Sequence, residues 1–236
     1  MKIINMKSKI AFAMGVGILL SCVLTASADS YTIAITPGRR CFIANQLNNG
    51  GNTLNEVFPF GEQAAGSTLG LFDIGLQSQS GEQFDPDDLV WPAGITLAPG
   101  GGAMLKYLGP ETTLTFTGTR VSSPVLYTPV VGKQQWVSDQ LPEVGTWNTI
   151  MAVAPGAGTI VRTWDPMLPG LTGDGDWVAD TFDGSTWSLG APTAAVGEAW
   201  NVYYVAPVPE PTTAGCFLLG LGALAFCQRF AKNRRS

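Results

Sequence analysis

Phe42-Ile43-Ala44-Asn45-Gln46-Leu47, set behind Pro37-Gly38, returns 94 positions later as Trp136-Val137-Ser138-Asp139-Gln140-Leu141, set behind Val131-Gly132. Each copy is an aromatic-apolar run that gives way to a polar corner, the pattern of a strand entering a short loop. Farther along, Phe84-Asp85 is echoed by Phe182-Asp183, Trp91 by Trp187 and Gly100 by Gly197, at separations of 98, 96 and 97. Near-constant spacing of this kind is the signature of an internal duplication. Each half then ends in a glycine turn feeding a last strand, Ala103 to Leu108 in the first and Trp200 to Val205 in the second.

The sequence around these runs has a period of two. Tyr31 to Thr36 alternates Tyr, Ile and Ile with Thr and Ala, and Thr112 to Thr119 alternates threonine with Leu114 and Phe116, so each wants one buried face. Pro99-Gly100-Gly101-Gly102, Pro155-Gly156 and Gly173-Asp174-Gly175 are turn formers between such segments. Asn48, Asn49, Gly50, Gly51 and Asn52 form a surface loop on the same grounds, positive φ and side-chain turn bonds. Outside the two ends of the chain, no stretch keeps helical periodicity over three turns. The expected fold is all-β: two tandem, internally repeated antiparallel units, sandwich or barrel-like, over residues 29–123 and 124–207, split near Ser122-Ser123-Pro124. A joint sandwich built by both halves is the alternative arrangement.

The two ends read as addresses. Lys2, Lys7 and Lys9 precede an apolar run from Ile10 to Leu20, and Ala26-Ser27-Ala28 supplies a small-residue cleavage site, so residues 1–28 read as a secretory signal peptide. Leu19-Leu20-Ser21-Cys22 is similar to a lipobox, which makes lipidation at Cys22 the competing reading; Leu20 is bulkier than that pattern accepts, and the alanine site downstream is better formed. At the other end stand Val208, Pro209, Glu210 and Pro211, then an apolar stretch, then Arg229, Lys232, Arg234 and Arg235. Thr212 to Phe230 would span about 28 Å as a helix, enough for one membrane crossing with Arg229 snorkelling outward. The basic residues would keep that end cytoplasmic and leave the rest outside.

Motif, apolar helix and basic end in this order resemble the PEP-CTERM sorting signal of exported bacterial proteins. The resemblance covers about an eighth of the chain. It implies recognition by a membrane-embedded cysteine peptidase, the exosortase, with Pro209, Glu210 and Pro211 as the recognition element and cleavage near it. It also implies a Gram-negative host that makes exopolysaccharide, with the protein on the surface or in the biofilm matrix. About the activity of the sorted part it implies nothing.

Between the addresses lie about 180 residues carrying six basic and seventeen acidic side chains, a net charge of about −11. That charge opposes nucleic acid and anionic lipid, so partners should be neutral or cationic. Cys22, Cys216 and Cys227 belong to the addresses, which leaves Cys41 alone and expected to behave as a small buried apolar residue. The chain contains no histidine, which excludes Ser-His-Asp and Cys-His catalysis, histidine-bound metals and imidazole acid–base steps. Paired carboxylates remain, as a glycoside hydrolase would use them, with Asp73, Asp85, Asp165 and Asp183 as available acids. Beside Gly or Pro these read more simply as turn residues.

All seven tryptophans, Trp91, Trp136, Trp147, Trp164, Trp177, Trp187 and Trp200, lie in the exported part. Trp136 and Trp200 are expected in the core, while Trp177, beside acidic residues, and Trp187, in a Gly-rich context, are the candidates for exposed sugar-stacking. Asp174, Asp176 and Asp180 raise a calcium loop, but the EF-hand glycine and glutamate are missing and a solvated acidic turn is the expectation. The resulting expectation is an exported, non-catalytic envelope or matrix protein that requires no cofactor. It passes the Sec translocon and signal peptidase, is anchored transiently in the inner membrane, and is then processed by an exosortase-like peptidase. A carbohydrate-binding module for exopolysaccharide stands second and a carboxylate-dependent glycan hydrolase third.

Overall fold

The computed structural model describes residues 29–170 and 173–208. The signal peptide, Cys22, the tail from Pro209 and its basic residues lie outside the described residues. In chain order the strands are β1 (Asp29–Ala34), β2 (Arg40–Ala44), β3 (Thr68–Asp73), β4 (Ser78–Gln83), β5 (Gly102–Lys106), β6 (Thr113–Gly118), β7 (Gln134–Val137), β8 (Gly145–Thr146), β9 (Ile160–Asp165), β10 (Asp176–Thr181), β11 (Thr193–Ala194) and β12 (Trp200–Tyr203). Two single-turn helices, α1 (Leu54–Val57) and α2 (Trp147–Ile150), and a 3₁₀ turn at Glu62–Ala64 are the helical elements among the described residues. Every strand pairing is antiparallel, so the fold is all-β.

Two four-stranded sheets dominate, and they are wound in the same order: β2-β5-β3-β4 and β7-β12-β9-β10. The row Phe42, Met104, Gly70, Gly81 crosses the first sheet. The row Trp136, Asn201, Arg162, Ala179 crosses the second at corresponding positions. Turn bonds recur with them. Gly38 N–H donates to Tyr107 O as Gly132 N–H does to Tyr204 O, and Leu47 N–H donates to Asn45 Oδ1 as Leu141 N–H does to Asp139 Oδ1. Each one-turn helix starts at a threonine whose backbone N–H is met by the side chain three residues on, Glu56 for Thr53 and Thr149 for Thr146.

The expected strands appear with altered ends. The strand expected over Tyr31 to Thr36 is observed two residues earlier as β1, that over Thr112 to Thr119 is observed as β6 trimmed by one residue at each end, and these two pair with each other, stacking Tyr31 on Phe116 at 4.8 Å. β5 stops before Leu108 and β12 before Val205 because side-chain hydroxyls take over the ladder. Leu108 N–H donates to Ser67 Oγ and Val205 N–H to Thr159 Oγ1.

The halves are locked by a reciprocal exchange. Ala44 N–H donates to Gly197 O and Ser138 N–H to Gly100 O, both at 2.8 Å. Hairpins reach across as well: Gln77, beyond β3, exchanges two hydrogen bonds with the backbone of Gln134, while Arg40 is met by Asp174 O and by Trp164 Nε1 from the β9–β10 hairpin. Phe42, Ala44, Met104 and Ala199 fill the seam with Trp136, Trp164 and Trp177 packed against them. A larger core in the first half gathers Tyr31, Phe58, Phe84, Trp91, Leu105 and Phe116, and a smaller one in the second gathers Val137, Trp147, Val161, Trp200 and Tyr204.

Gly197 sits in the seam at φ +76°, where a Cβ would strike Ile33 Cγ2 and come within 2.9 Å of Tyr31 Cε2. Gly197→Ala should therefore cost about 2–4 kcal/mol, from left-handed strain plus overpacking. Urea unfolding followed by circular dichroism and by tryptophan fluorescence should show one shared transition moved to lower urea. Two separated transitions would show that the halves fold independently.

Candidate functional site

The tryptophans are used inward. Trp91, Trp147 and Trp200 are buried, and Trp136, Trp164, Trp177 and Trp187 are half-buried. Trp177 does not follow Asp176 to the surface, because residues alternate faces along a strand. Asp176 is exposed, whereas the Trp177 ring packs edge-on against Phe42 and Trp164, each at 5.1 Å. Trp187 is folded back by a turn whose N–H groups donate to Asp183, and its ring lies against Trp147 at 5.4 Å and Phe182 at 5.2 Å. No row of exposed tryptophans exists among the described residues.

The available acids are turn locks. Asp73 accepts Leu76 N–H, Asp85 accepts those of Asp87 and Asp88, Asp165 accepts that of Met167, and Asp183 accepts those of Ser185 and Thr186. These bonds favour the ionised form, holding Asp85 below the usual carboxylate range and pushing Asp183 down to about 2. The carboxyl that moves the other way is Glu198, raised by burial beside the seam and partly offset by Ala195 N–H. The three acids of the calcium-loop candidate are held by different partners. Asp174 pairs with Lys106 at 3.2 Å and Arg40 at 3.8 Å, Asp176 accepts Trp177 N–H, and Asp180 accepts Ser188 Oγ–H and Leu189 N–H. No group of three or more potential metal ligands occurs among the described residues.

The asparagine loop is built as its composition requires. Asn48 Oδ1 accepts Gly50 N–H, Asn52 Oδ1 accepts Asn49 N–H, and Gly50 and Asn52 take φ of +91° and +52°. The Cys41 thiol is sunk beside Leu105, and burial pushes its pKa up to about 12, so it is protonated at neutral pH.

Several concavities mark the described surface, among them a broad one of about 620 Å³ beside the asparagine loop, bordered by Asn48, Asn55, Glu56 and Thr117, and two others that bear on the fold. A cleft of about 270 Å³ follows the seam between Ile33, Cys41, Ile43, Trp164, Pro166 and Glu198. A second, of about 170 Å³, lies in the first half between Phe58-Pro59-Phe60, Tyr107, Glu111 and β6. There Tyr107 O–H donates to Glu111 Oε2 and Gln63 Nε2 donates to Glu111 Oε1 at 2.9 Å, which holds Glu111 below the ordinary range. Sequence reasoning singled out none of the residues of this cavity as a site. The local signal was the aromatic pair around Pro59, but its partners are some fifty residues away along the chain.

No protein-family model, no curated protein and no solved structure matches this chain.

The titrating groups give stability a definite sign with pH. A carboxylate depressed by folding contributes stability above its unfolded pKa and loses it as pH falls through the folded value; Glu56, Asp85, Glu111 and Asp183 are of this kind. Glu198 acts oppositely, its ionised form costing stability at neutral pH and that cost lifting in acid. For Asp183 the window runs from 3.8 down to about 2. Urea midpoints should fall across that window, and fall less in Asp183→Asn, which keeps an acceptor for the same N–H groups without the charge. Equal falls in both proteins would show that Asp183 contributes nothing to the acid sensitivity.

Proposed function

We propose that this is a non-catalytic exported protein of the cell envelope or extracellular matrix, sorted through its C-terminal tail by an exosortase-like peptidase. The observation that carries the reading is the order Val208-Pro209-Glu210-Pro211, apolar stretch, then Arg229, Lys232, Arg234 and Arg235. The signal peptide in residues 1–28 supports it from the other end, through the Sec translocon and signal peptidase. The chain leaves the β fold openly at the motif: Val205 O accepts Gly156 N–H, and Val208 is 85% exposed.

The β region is a scaffold made by duplication of one unit in this reading. The shared winding order, the recurring turn bonds and the reciprocal seam support that origin. Inward tryptophans and turn-locked acids favour a structural role over sugar stacking or glycan hydrolysis, since hydrolysis needs a protonated and an ionised carboxyl flanking one bond. The protein is held at the inner membrane by the tail until processing and then joins the surface or matrix.

Mass spectrometry of the mature C-terminus tests the sorting. Surface material from a strain with the peptidase should lack residues beyond the Pro-Glu-Pro motif, while a strain without it, or a Glu210→Ala variant, should retain the full tail in the membrane fraction. An intact Ser236 on surface material from both strains would sink the proposal.

A further inference from the structure

At one end of the molecule the chain passes out of the β fold between two apolar loops. Gly132 N–H donates to Tyr204 O, which fixes the turn 130–133 on one side of the exit. On the other side, Gly156 N–H donates to Val205 O and Tyr204 O–H to Ala154 O, which fixes the loop 151–158, a run without one charged, hydroxyl or amide side chain. The turn between β3 and β4 comes to the same end, because Gln77 exchanges hydrogen bonds with the backbone of Gln134, next to Lys133. Exposed on these segments are Leu76 (77%), Val130, Val131 (59%), Val153 and Val208 (85%). The charged residues there are Lys133 and Asp73, with Asp183 in the turn beside Ala157, and both carboxylates accept N–H groups of their own turns. The turn 85–90, at the opposite end of β3 and β4, holds Asp85, Asp87 and Asp88 instead. Apolar side chains gathered at one end and left in water mark a surface that meets something else.

We propose that this end seats on the lipid surface while the tail spans the bilayer, with Leu76, Val131 and Val153 entering the headgroup layer; the inference rests on the tail being a membrane span. The length of the connection carries it. Pro209, Glu210 and Pro211 alone separate Val208 from Thr212, where the apolar stretch begins, and four steps of about 3.5 Å reach about 14 Å at most. Headgroups occupy roughly 5–8 Å on each side of a bilayer. A connection so short keeps the exit end, and not the acidic opposite end, against the membrane. Contact is then favourable, because the leucine and valines leave water for the boundary between headgroups and acyl chains. Lys133 can lay its stem along that boundary with its charge among the phosphates, and carboxylates turned back into Asp73 and Asp183 turns are not presented to them.

For the test, the full chain is exported in a bacterium lacking the peptidase, so that residues 1–28 leave and the tail stays, with mass spectrometry confirming residues 29–236. It carries Cys22→Ala, Cys216→Ala and Cys227→Ala, plus one of Leu76→Cys, Val131→Cys, Val153→Cys or Asp87→Cys to take an environment-sensitive dye; the buried Cys41 thiol stays unlabelled. Each protein is placed in phosphatidylcholine nanodiscs, one copy per disc, with nitroxide on the lipid headgroups as quencher. Flotation with vesicles after alkaline carbonate reports whether the tail is inserted. Dyes at positions 76, 131 and 153 should be quenched at least about threefold more than the dye at 87, and should emit at shorter wavelength than in detergent-free buffer. Loss of flotation overturns the tail reading and the seating with it. Flotation with equal quenching at all four positions, or with none at 76, 131 and 153, overturns the seating alone. So does a wavelength shift that needs two copies in one disc, which assigns this end to a second copy of the chain, or a shift without nitroxide quenching, which assigns it to the tail folded back.

Discussion

The reciprocal pair of backbone hydrogen bonds at the seam, Ala44 N–H to Gly197 O and Ser138 N–H to Gly100 O, is the constraint on which the rest of the molecule depends. Both acceptors are glycines in the left-handed region, at +76° and +85°. That backbone conformation is costly for residues with a Cβ, and the space is taken too, since Gln46 Oε1 accepts Gly197 N–H and the Gln140 chain fills the volume over Gly100. Closing the seam buries Phe42, Ala44, Met104 and Ala199 in a cluster that draws on both sheets. Each four-stranded sheet therefore has a face that only the other half completes.

Within this near-symmetry the two crossings are chemically different. The Gln77–Gln134 contact is an exchange of neutral amide and backbone bonds, whereas its counterpart at Arg40 adds Asp174 and Lys106, two partly exposed ion pairs of modest value. The first half also carries the β1–β6 ribbon, which thickens its core and supplies one wall of its cavity. The second half closes with the two-residue pair β8 and β11 instead. Equivalent windings have thus acquired unequal cores.

Much of the β architecture was legible in the sequence because alternation and glycine turns are local signals. Tyr31, Ile33 and Ile35 announce a strand, and Gly100 and Gly197 announce the turns before β5 and β12. The pairing of β1 with β6 was not legible, since the two strands are equally plausible neighbours of several others until the fold is known. Thr53 with Glu56 was a readable capping signal, yet one helical turn is too short to show a period. Trp177 was misplaced for a specific reason: acidic neighbours describe the opposite face of a strand, not its own. The cavity of the first half stayed hidden because Phe60 meets Tyr107 and Glu111 only through two segments nearly fifty residues apart.

The position of β12 has a consequence for the order of events during folding. It is an interior strand, bonded to β7 on one side and β9 on the other, yet it is the last strand before the tail. A chain synthesised from its N-terminus can complete the first sheet once β5 is available, but β7 and β9 must wait with open edges until Trp200 to Tyr203 arrive between them. Such edges invite pairing with other chains. The second half therefore cannot close its sheet before Trp200 to Tyr203 are available, and until then β7 and β9 are its exposed edges.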